Sequence, residues 1–212
     1  MEDYIIPAKR YSVEARVANS RFIASISPVF SVQEAKEFIT HIKDIYRDAS
    51  HNVPVYLIGY GATVIAHSSD DGEPSGTAGR PALAVLKGSG LGDTAIVITR
   101  YFGGTKLGTG GLVKAYSNSA RRVIEAVPKA KKILVHHVLV QCPYNLYEHL
   151  KRTIVKCGGI IIEEKFSELV KITFSVPVAN LPQVKDLITE LSQGQINPET
   201  ISSNQISIIQ QE

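Results

Sequence analysis

The stretch SDDGEPSGTAGRP, at Ser69–Pro81, sets the carboxylates of Asp70, Asp71 and Glu73 among three glycines and two prolines. An arginine, Arg80, precedes the last proline. So many polar and turn-forming residues exclude a place in the core, and the charges argue against a passive linker. We therefore interpret the stretch as a surface loop with a specific task.

The three carboxylates of this loop admit three interpretations. Asp70, Asp71 and Glu73 could hold a hard cation such as Mg²⁺, which prefers oxygen ligands, although their spacing does not match a calcium loop. They could instead cap backbone amides in an acidic turn. A third alternative is a clamp in which they pair with Arg80 or Arg100. The acidic turn is favoured, so no metal site is predicted.

A second glycine-rich stretch, RYFGGTKLGTGG at Arg100–Gly111, follows some twenty residues later. Its five glycines let backbone amides approach a ligand, and the start of a helix attracts anions. It matches neither the P-loop nor the G-x-G-x-x-G pattern, so nucleotide hydrolysis is not supported. Binding of phosphate, from RNA or a nucleotide, fits better. Tyr101 and Phe102 could stack on a base or belong to the core.

A helix is predicted from about Gly111 to Val127, and Pro128 ends it. At 100° per residue its two sides separate cleanly. The apolar side comprises Leu112, Tyr116, Ala120, Val123 and Val127. The polar side comprises Lys114, Asn118, Arg121, Arg122 and Glu125. Between residues 95 and 132 the chain has eight Lys or Arg against one acid. This clustering is typical of nucleic-acid binding, with a merely solvated helix face as the alternative.

The remaining elements predict an α+β fold. Strands YSVEARVA and RFIASISPV would form a hairpin, and Ser31 with Glu34 gives a capping box for the helix that follows. Strands VPVYLIGY and ATVIAH come next, then a short helix from Pro81 and a central strand, DTAIVITRY. From Ile133 onward the pattern is β-α-β-β-α-β, the ferredoxin-like order. We place the domain limits at 1–130 and 131–212.

Composition excludes several classes of protein. No apolar run approaches the roughly 18 residues of a membrane span, and no signal peptide is evident. The two cysteines, Cys142 and Cys157, predict buried thiols rather than disulfides or a metal site. The cytoplasm is therefore the expected location. The net charge of +3 predicts no particular partner.

Catalytic patterns are sparse. No serine lies in a G-x-S-x-G elbow, and the six histidines are scattered without an H-E-x-x-H motif. His51 and His67 could approach each other beside Asp70 and form an acid–base site, which stays open as an alternative. We predict no catalytic residue and no cofactor, and we expect that the chain is not an enzyme.

SDDGEPSGTAGRP and RYFGGTKLGTGGLVKAYSNSA resemble, almost throughout, the two signature stretches of the IMPACT family, whose bacterial members are the YigZ-type proteins. The segments SRFIASI and ASHN match the family more weakly. At Val53–Val55 this chain departs from the family, because many members have a cysteine there. The resemblance covers the chain to about residue 128.

The resemblance implies an N-terminal domain similar to the second domain of ribosomal protein S5. It also implies a C-terminal ferredoxin-like domain similar to the last domain of the ribosomal translocase elongation factor. Eukaryotic members look like regulators of translation initiation that act through an additional N-terminal domain of the RWD type, which we expect this chain to lack. Both folds recur in proteins that contact ribosomes and RNA.

Two functional hypotheses follow. The first is a translation-associated regulatory protein that binds RNA or the ribosome through a basic glycine-rich surface. The alternative is a nucleotide- or phosphometabolite-binding protein or enzyme that uses both loops as one pocket. The candidate nucleic-acid or anion-binding residues are Arg80, Arg100, Tyr101, Gly103, Gly104, Thr105, Lys106, Gly108, Gly110, Gly111, Lys114, Arg121 and Arg122. The signature acidic loop contributes Asp70, Asp71, Glu73 and Gly76.

Overall fold

The structure is a computed structural model that describes residues 3–210, with the side chains of residues 62 and 203–210 outside the description. The chain divides into two compact units, Tyr4–Lys131 and Lys132–Ile209. The described part contains two sheets with antiparallel pairing and five α-helices. No described helix is both long enough and apolar enough to cross a lipid bilayer.

The first unit is built on a five-stranded sheet. Its strands are β2 (Tyr11–Val17), β3 (Ser20–Pro28), β4 (His51–Ile58), β5 (Ile65–Ser68) and β6 (Thr94–Tyr101). They lie in the order β2-β3-β6-β4-β5, and every neighbouring pair is antiparallel. The predicted hairpin of the first two of these strands is present, and β6 is the central strand, as its apolar sequence predicts.

Three helices cover this sheet: α1 (Val32–Ile45), α2 (Gly79–Gly88) and α3 (Gly108–Ala126). Successive side chains of a strand face opposite sides of a sheet, and β6 uses both sides. Ile96 and Ile98 join the core beneath α2 and α3, whereas Ala95 and Val97 join the core beneath α1. Because β6 is buried on both faces, the residues at its end are held firmly.

Ser31 caps α1 as predicted, but in the return bond of the capping box Glu34 accepts from Phe30 and not from Ser31. Ser31 Oγ accepts a hydrogen bond from Glu34 N–H (3.1 Å), and the Glu34 carboxylate accepts one from Phe30 N–H (3.0 Å). Helical spacing predicts four apolar positions on one side of this helix. The three of them that are buried are Ala35, Phe38 and Ile42. The fourth, Ile45, is half exposed because it lies in the last turn.

Three details differ from the sequence predictions. Helix α3 begins at Gly108 rather than near Gly111, so three residues assigned to a loop belong to its first turn. Helix α2 begins at Gly79, two residues before Pro81. Proline suits the first turn of a helix, because an N–H group at that position would have no acceptor within the helix. A four-residue strand, β1 (Tyr4–Pro7), was not predicted, because its apolar run is too short to show a period.

The second unit has the predicted β-α-β-β-α-β order. It comprises β7 (Lys129–Cys142), α4 (Tyr144–Lys156), β8 (Ile160–Phe166), β9 (Val170–Pro177), α5 (Leu181–Leu191) and β10 (Glu199–Gln210). Strand β7 begins at the end of the first unit, and β1 is one of its neighbours. Within the second unit β10, β7, β9 and β8 are neighbours in that order. Cys142 and Cys157 flank α4 as buried free thiols.

Candidate functional site

Asp70 caps the start of α2. Its carboxylate accepts hydrogen bonds from the N–H groups of Gly76 (2.8 Å), Ala78 (3.1 Å) and Gly79 (2.8 Å). Burial raises the pKa of Asp70, but these three bonds and the charge of Arg80 outweigh it and lower the pKa below its ordinary value. Asp70 therefore orders the acidic loop, which is the amide-capping role considered for it.

Asp71 joins the loop to α1 and β4. Its backbone is left-handed (φ 47°), a strained conformation for a residue other than glycine. Its carboxylate accepts from Lys43 Nζ (2.6 Å) and from Asn52 N–H (2.7 Å). Its carbonyl lies 2.8 Å from His51 Nδ1. A carbonyl can only accept, so this contact assigns a proton to Nδ1.

Glu73 lies at the centre of a buried network. Its Oε1 accepts hydrogen bonds from Arg100 Nη1 (2.6 Å) and from the Tyr116 hydroxyl (2.7 Å), and His51 Nε2 is 3.9 Å away. Burial, together with the hydrogen bond to Glu73, raises the pKa of Tyr116 far above its ordinary value, so this hydroxyl stays a neutral donor. The network therefore joins the acidic loop to β6 and to α3.

Arg100 differs from its predicted role. We expected it on an anion-binding surface, but it is only 4% exposed and its charge is paired with Glu73. Its guanidinium lies between the rings of Phe22 (5.6 Å) and Phe102 (5.4 Å), and Nη2 donates to Ser20 Oγ (3.3 Å). The clamp interpretation of the acidic loop thus holds for Glu73 with Arg100.

The structure does not support the cation and acid–base alternatives. Within residues 3–210 no group of three His, Cys, Asp or Glu residues could hold a metal ion, since each carboxylate of the loop has a different set of partners. The two histidines are also separated. His51 lies opposite Arg100 at the start of β4, whereas His67 lies opposite Tyr56 and stacks on its ring (5.1 Å).

The second stretch forms a tight turn that leads into α3. Gly103 packs on the Asn19 turn so closely that a Cβ atom would lie 1.8 Å from the Asn19 carbonyl oxygen. Thr105 Oγ1 accepts from Asn19 Nδ2 (3.1 Å), which fixes the turn from the other side. Leu107, at the N-cap of α3, offers no side-chain hydrogen bond, and no side chain in the described part of the chain accepts from the first N–H groups of the helix.

The two stretches enclose a cavity of about 390 Å³. Its walls come from the acidic loop, from the end of β6 and from the beginning of α3. They include Glu73, Pro74, Arg100, Phe102, Lys106 and Thr109. The cavity is lined by the ammonium group of Lys106, the start of α3, the carboxylate of Glu73 and the exposed ring of Phe102. This combination of groups is suited to binding a small polar ligand.

Most of the other candidate residues lie at the surface. Tyr101 is half-buried, and its ring is already engaged, because its hydroxyl donates to Asp48 (2.8 Å) and Arg21 lies over its face. Gly76, Gly103 and Gly111 are also half-buried. The exposed residues are Arg80, Gly104, Thr105, Lys106, Gly108, Gly110, Lys114, Arg121 and Arg122.

Sequence reasoning missed several members of the site. His51 and Ser20 lie in the two weaker family matches, ASHN and SRFIASI, but neither was predicted as a site residue beyond the alternative of His51 with His67. Tyr116 was assigned only to the core, and Lys43 carried no motif. These four residues lie on four different elements: Ser20 on β3, Lys43 on α1, His51 on β4 and Tyr116 on α3. No local pattern predicts that side chains so distant in the sequence meet.

The fold and the site together define a two-unit α+β protein with a cavity between two glycine-rich stretches of its first unit. Residues 18–124 match the family model described as "Impact N-terminal domain", and residues 140–195 match "Domain of unknown function (DUF1949)". The chain belongs to the IMPACT family.

Individual relatives agree with this assignment. The chain is 32% identical over 197 residues to "IMPACT family member YigZ" of Escherichia coli K12, covering 92% of this chain and 97% of that protein. It is 37% identical to "IMPACT family member YvyE" of Bacillus subtilis 168, covering 85% and 83%. A solved structure titled "Crystal structure of an hypothetical protein" is 32% identical, with a TM-score of 0.63 over 95% of this chain and 98% of that one.

Proposed function

We propose that this chain is a translation-associated regulatory protein that binds RNA, free or within the ribosome, through the exposed side of α3. Family membership supports a translation-related role at the level of the class. The observation that carries RNA binding is the row of cations on α3. Lys114, Arg121 and Arg122 are exposed, and no carboxylate in the described part of the chain pairs with them. Unpaired cations on one face suit a phosphate backbone.

The fold gives this proposal general support. We assign the first unit to the ribosomal-protein-S5 domain 2 type and the second to the ferredoxin-like type, with domain limits at 1–130 and 131–212. The strand order β10-β7-β9-β8 and the β-α-β-β-α-β connection support the second assignment. Both folds occur in proteins that contact RNA, which is an analogy and does not by itself establish a function. RNA binding of this kind would take place in the cytoplasm.

A salt titration of RNA binding tests the proposal. Structured and single-stranded RNA should both bind. The logarithm of the binding constant should fall linearly as log[salt] rises. The variant K114E/R121E/R122E should bind more weakly on every sequence, and its salt slope should fall by roughly 2, since each single-strand phosphate contact contributes about 0.7.

A matched control separates a specific surface from net charge. The variant K9E/K36E/R47E changes three exposed cations of the same unit and alters the charge equally. It should retain most of the affinity. Equal weakening by both triple variants, or no binding at low salt, would contradict the proposal.

A nucleotide- or phosphometabolite-binding role, with or without catalysis, is the second candidate. The cavity between the two stretches favours it. The engagement of Asp70 and Asp71 argues against a resident cation, so binding should not need Mg²⁺. In a thermal-shift screen, a ligand at about 100 times its Kd should stabilise the fold by about 2.7 kcal/mol. No shift with any nucleotide or sugar phosphate would reject this candidate.

A further inference from the structure

We propose that the cavity between the acidic loop and α3 binds one ribonucleotide unit, with its phosphate at the start of α3, its base on Phe102 and its ribose 2′-hydroxyl at Glu73. The inference deepens the proposed RNA binding and rests on it for the case in which the nucleotide belongs to a strand. The same chemistry would also bind a free ribonucleoside monophosphate.

Glu73 supplies the first indication of a ligand. It is only 8% exposed, it lines the cavity, and its Oε1 accepts both of its hydrogen bonds. No group among residues 3–210 donates to its other oxygen, Oε2. Oε2 is not among the buried atoms without a partner, so it is open to solvent, and a ligand in the cavity can bring an O–H or N–H group to it.

Arg100 limits where that group can lie. Its side chain lines the cavity, but its Nε–H is closed to solvent and has no acceptor in the described part of the chain. A ligand hydroxyl can therefore reach Glu73 Oε2 but not this nitrogen. A ribose 2′-hydroxyl can donate to Oε2 and suits this position.

The beginning of α3 supplies the anion site. This 19-residue helix starts at Gly108 with no side-chain cap, and a helix start carries about half a positive charge. A Cβ atom at Gly108 or Gly110 would meet nothing within 4 Å, so the surroundings of these amides are open. Lys106 is exposed, and no described carboxylate pairs with it. Backbone amides, the helix dipole and an ammonium group together suit a phosphate.

Phe102 supplies the stacking surface. Its ring is 47% exposed, although it lies at the end of a strand that is otherwise buried. The Arg100 guanidinium lies 5.4 Å from its centroid on one side. Aromatic rings placed beside a phosphate site bind bases in single-strand recognition. The volume of about 390 Å³ is near the lower end of the range for ligand pockets, about 300–1,000 Å³, which fits one nucleotide.

Calorimetric titration of the full chain tests the inference with four probes: adenosine 5′-monophosphate, its 2′-deoxy form, adenosine and inorganic phosphate. The monophosphate should bind about tenfold or more tightly than the other three, because each of them lacks at least one of the three recognised groups. Equal affinity for the ribo and deoxy forms would overturn the role of Glu73.

Two surface variants locate the binding. Thr109→Glu places a carboxylate in the first turn of α3, where it suits the helix but repels a phosphate. Phe102→Ala removes the stacking ring. Each should weaken monophosphate binding about tenfold or more. Their controls, Thr40→Glu on α1 and Phe30→Ala before it, should leave binding unchanged. If each variant behaves like its control, the inference fails.

A hexameric riboadenylate distinguishes the two sources of the nucleotide. Tighter binding of the hexamer than of the monophosphate assigns the cavity to RNA, and equal binding assigns it to the free nucleotide. K114E/R121E/R122E should weaken the hexamer alone. RNA binding that this variant weakens, without any monophosphate binding, would overturn the cavity inference and leave the proposed function standing. Monophosphate binding, together with RNA binding that this variant does not weaken, would overturn the role of the α3 surface and leave the cavity inference standing.

Discussion

Arg100 and Glu73 form a buried ion pair, with Nη1 2.6 Å from Oε1, although 27 residues separate them in the sequence. The pair joins the acidic loop to the end of the central strand β6, where the second glycine-rich stretch begins. Tyr116 donates to the same oxygen from α3. The wall of the cavity is therefore held by one network, and the strength of that network can be measured.

Replacing one member of the buried pair should cost much stability. In Arg100→Met the Glu73 carboxylate stays buried without its cation, and we expect a loss of about 3–5 kcal/mol in the free energy of unfolding. The double variant R100M/E73Q should lose less, because it leaves no uncompensated charge. Guanidinium unfolding followed by circular dichroism measures both.

The control for this experiment is the exposed pair of Arg21 with Glu14, whose nitrogen and oxygen are 2.8 Å apart. Arg21→Ala should lose far less stability than Arg100→Met, because water screens an exposed ion pair and the contact of Arg21 with the Tyr101 ring is weak. If Arg100→Met is as stable as the native chain, the network does not hold the wall.

Asp70 should make the stability depend on pH in acid. Its pKa is lowered in the folded chain, because its backbone hydrogen bonds outweigh its burial. Its contribution is therefore complete above the unfolded pKa of about 3.9 and is lost as the pH falls through the lower, folded value.

We expect Asp70→Asn to unfold more easily than the native chain at pH 7 and to differ less from it at pH 2. Urea unfolding between these two pH values measures the difference. Asp44→Asn, at an exposed position of α1, is the control and should match the native chain throughout. A difference for Asp70→Asn that grows as the pH falls would contradict the role of its hydrogen bonds.

Two glycines of the same stretch should respond in opposite ways to alanine. Gly103→Ala brings a Cβ within 1.8 Å of the Asn19 carbonyl oxygen, so the hairpin turn must shift and the chain should be strongly destabilised. At Gly110, in the first turn of α3, a Cβ meets nothing within 4 Å. Gly110→Ala should stabilise the fold by about 0.5–1 kcal/mol, because alanine loses less entropy in a helix. Thermal unfolding of the two variants gives the comparison, and a similar effect of both would contradict the close contact at Gly103.

Local signals predicted much of the fold. The cap at Ser31 and Glu34 places α1, because its hydrogen bond joins residues three apart. The apolar side of α3, from Leu112 to Val127, is buried as its helical period predicts. The alternation of elements after residue 133 predicts the β-α-β-β-α-β order of the second unit. These features depend on neighbours in the sequence, which is why the sequence alone reports them.

The individual roles of the carboxylates could not be predicted in this way. The sequence placed Asp70, Asp71 and Glu73 in one polar loop and suggested that it lies beside the second stretch. Only the tertiary structure determined that Asp70 caps α2, that Asp71 contacts Lys43 and that Glu73 is buried against Arg100. Hydrogen-bond partners are chosen by distances of about 3 Å between atoms, and segments distant in sequence reach such distances only after the sheet and helices have packed.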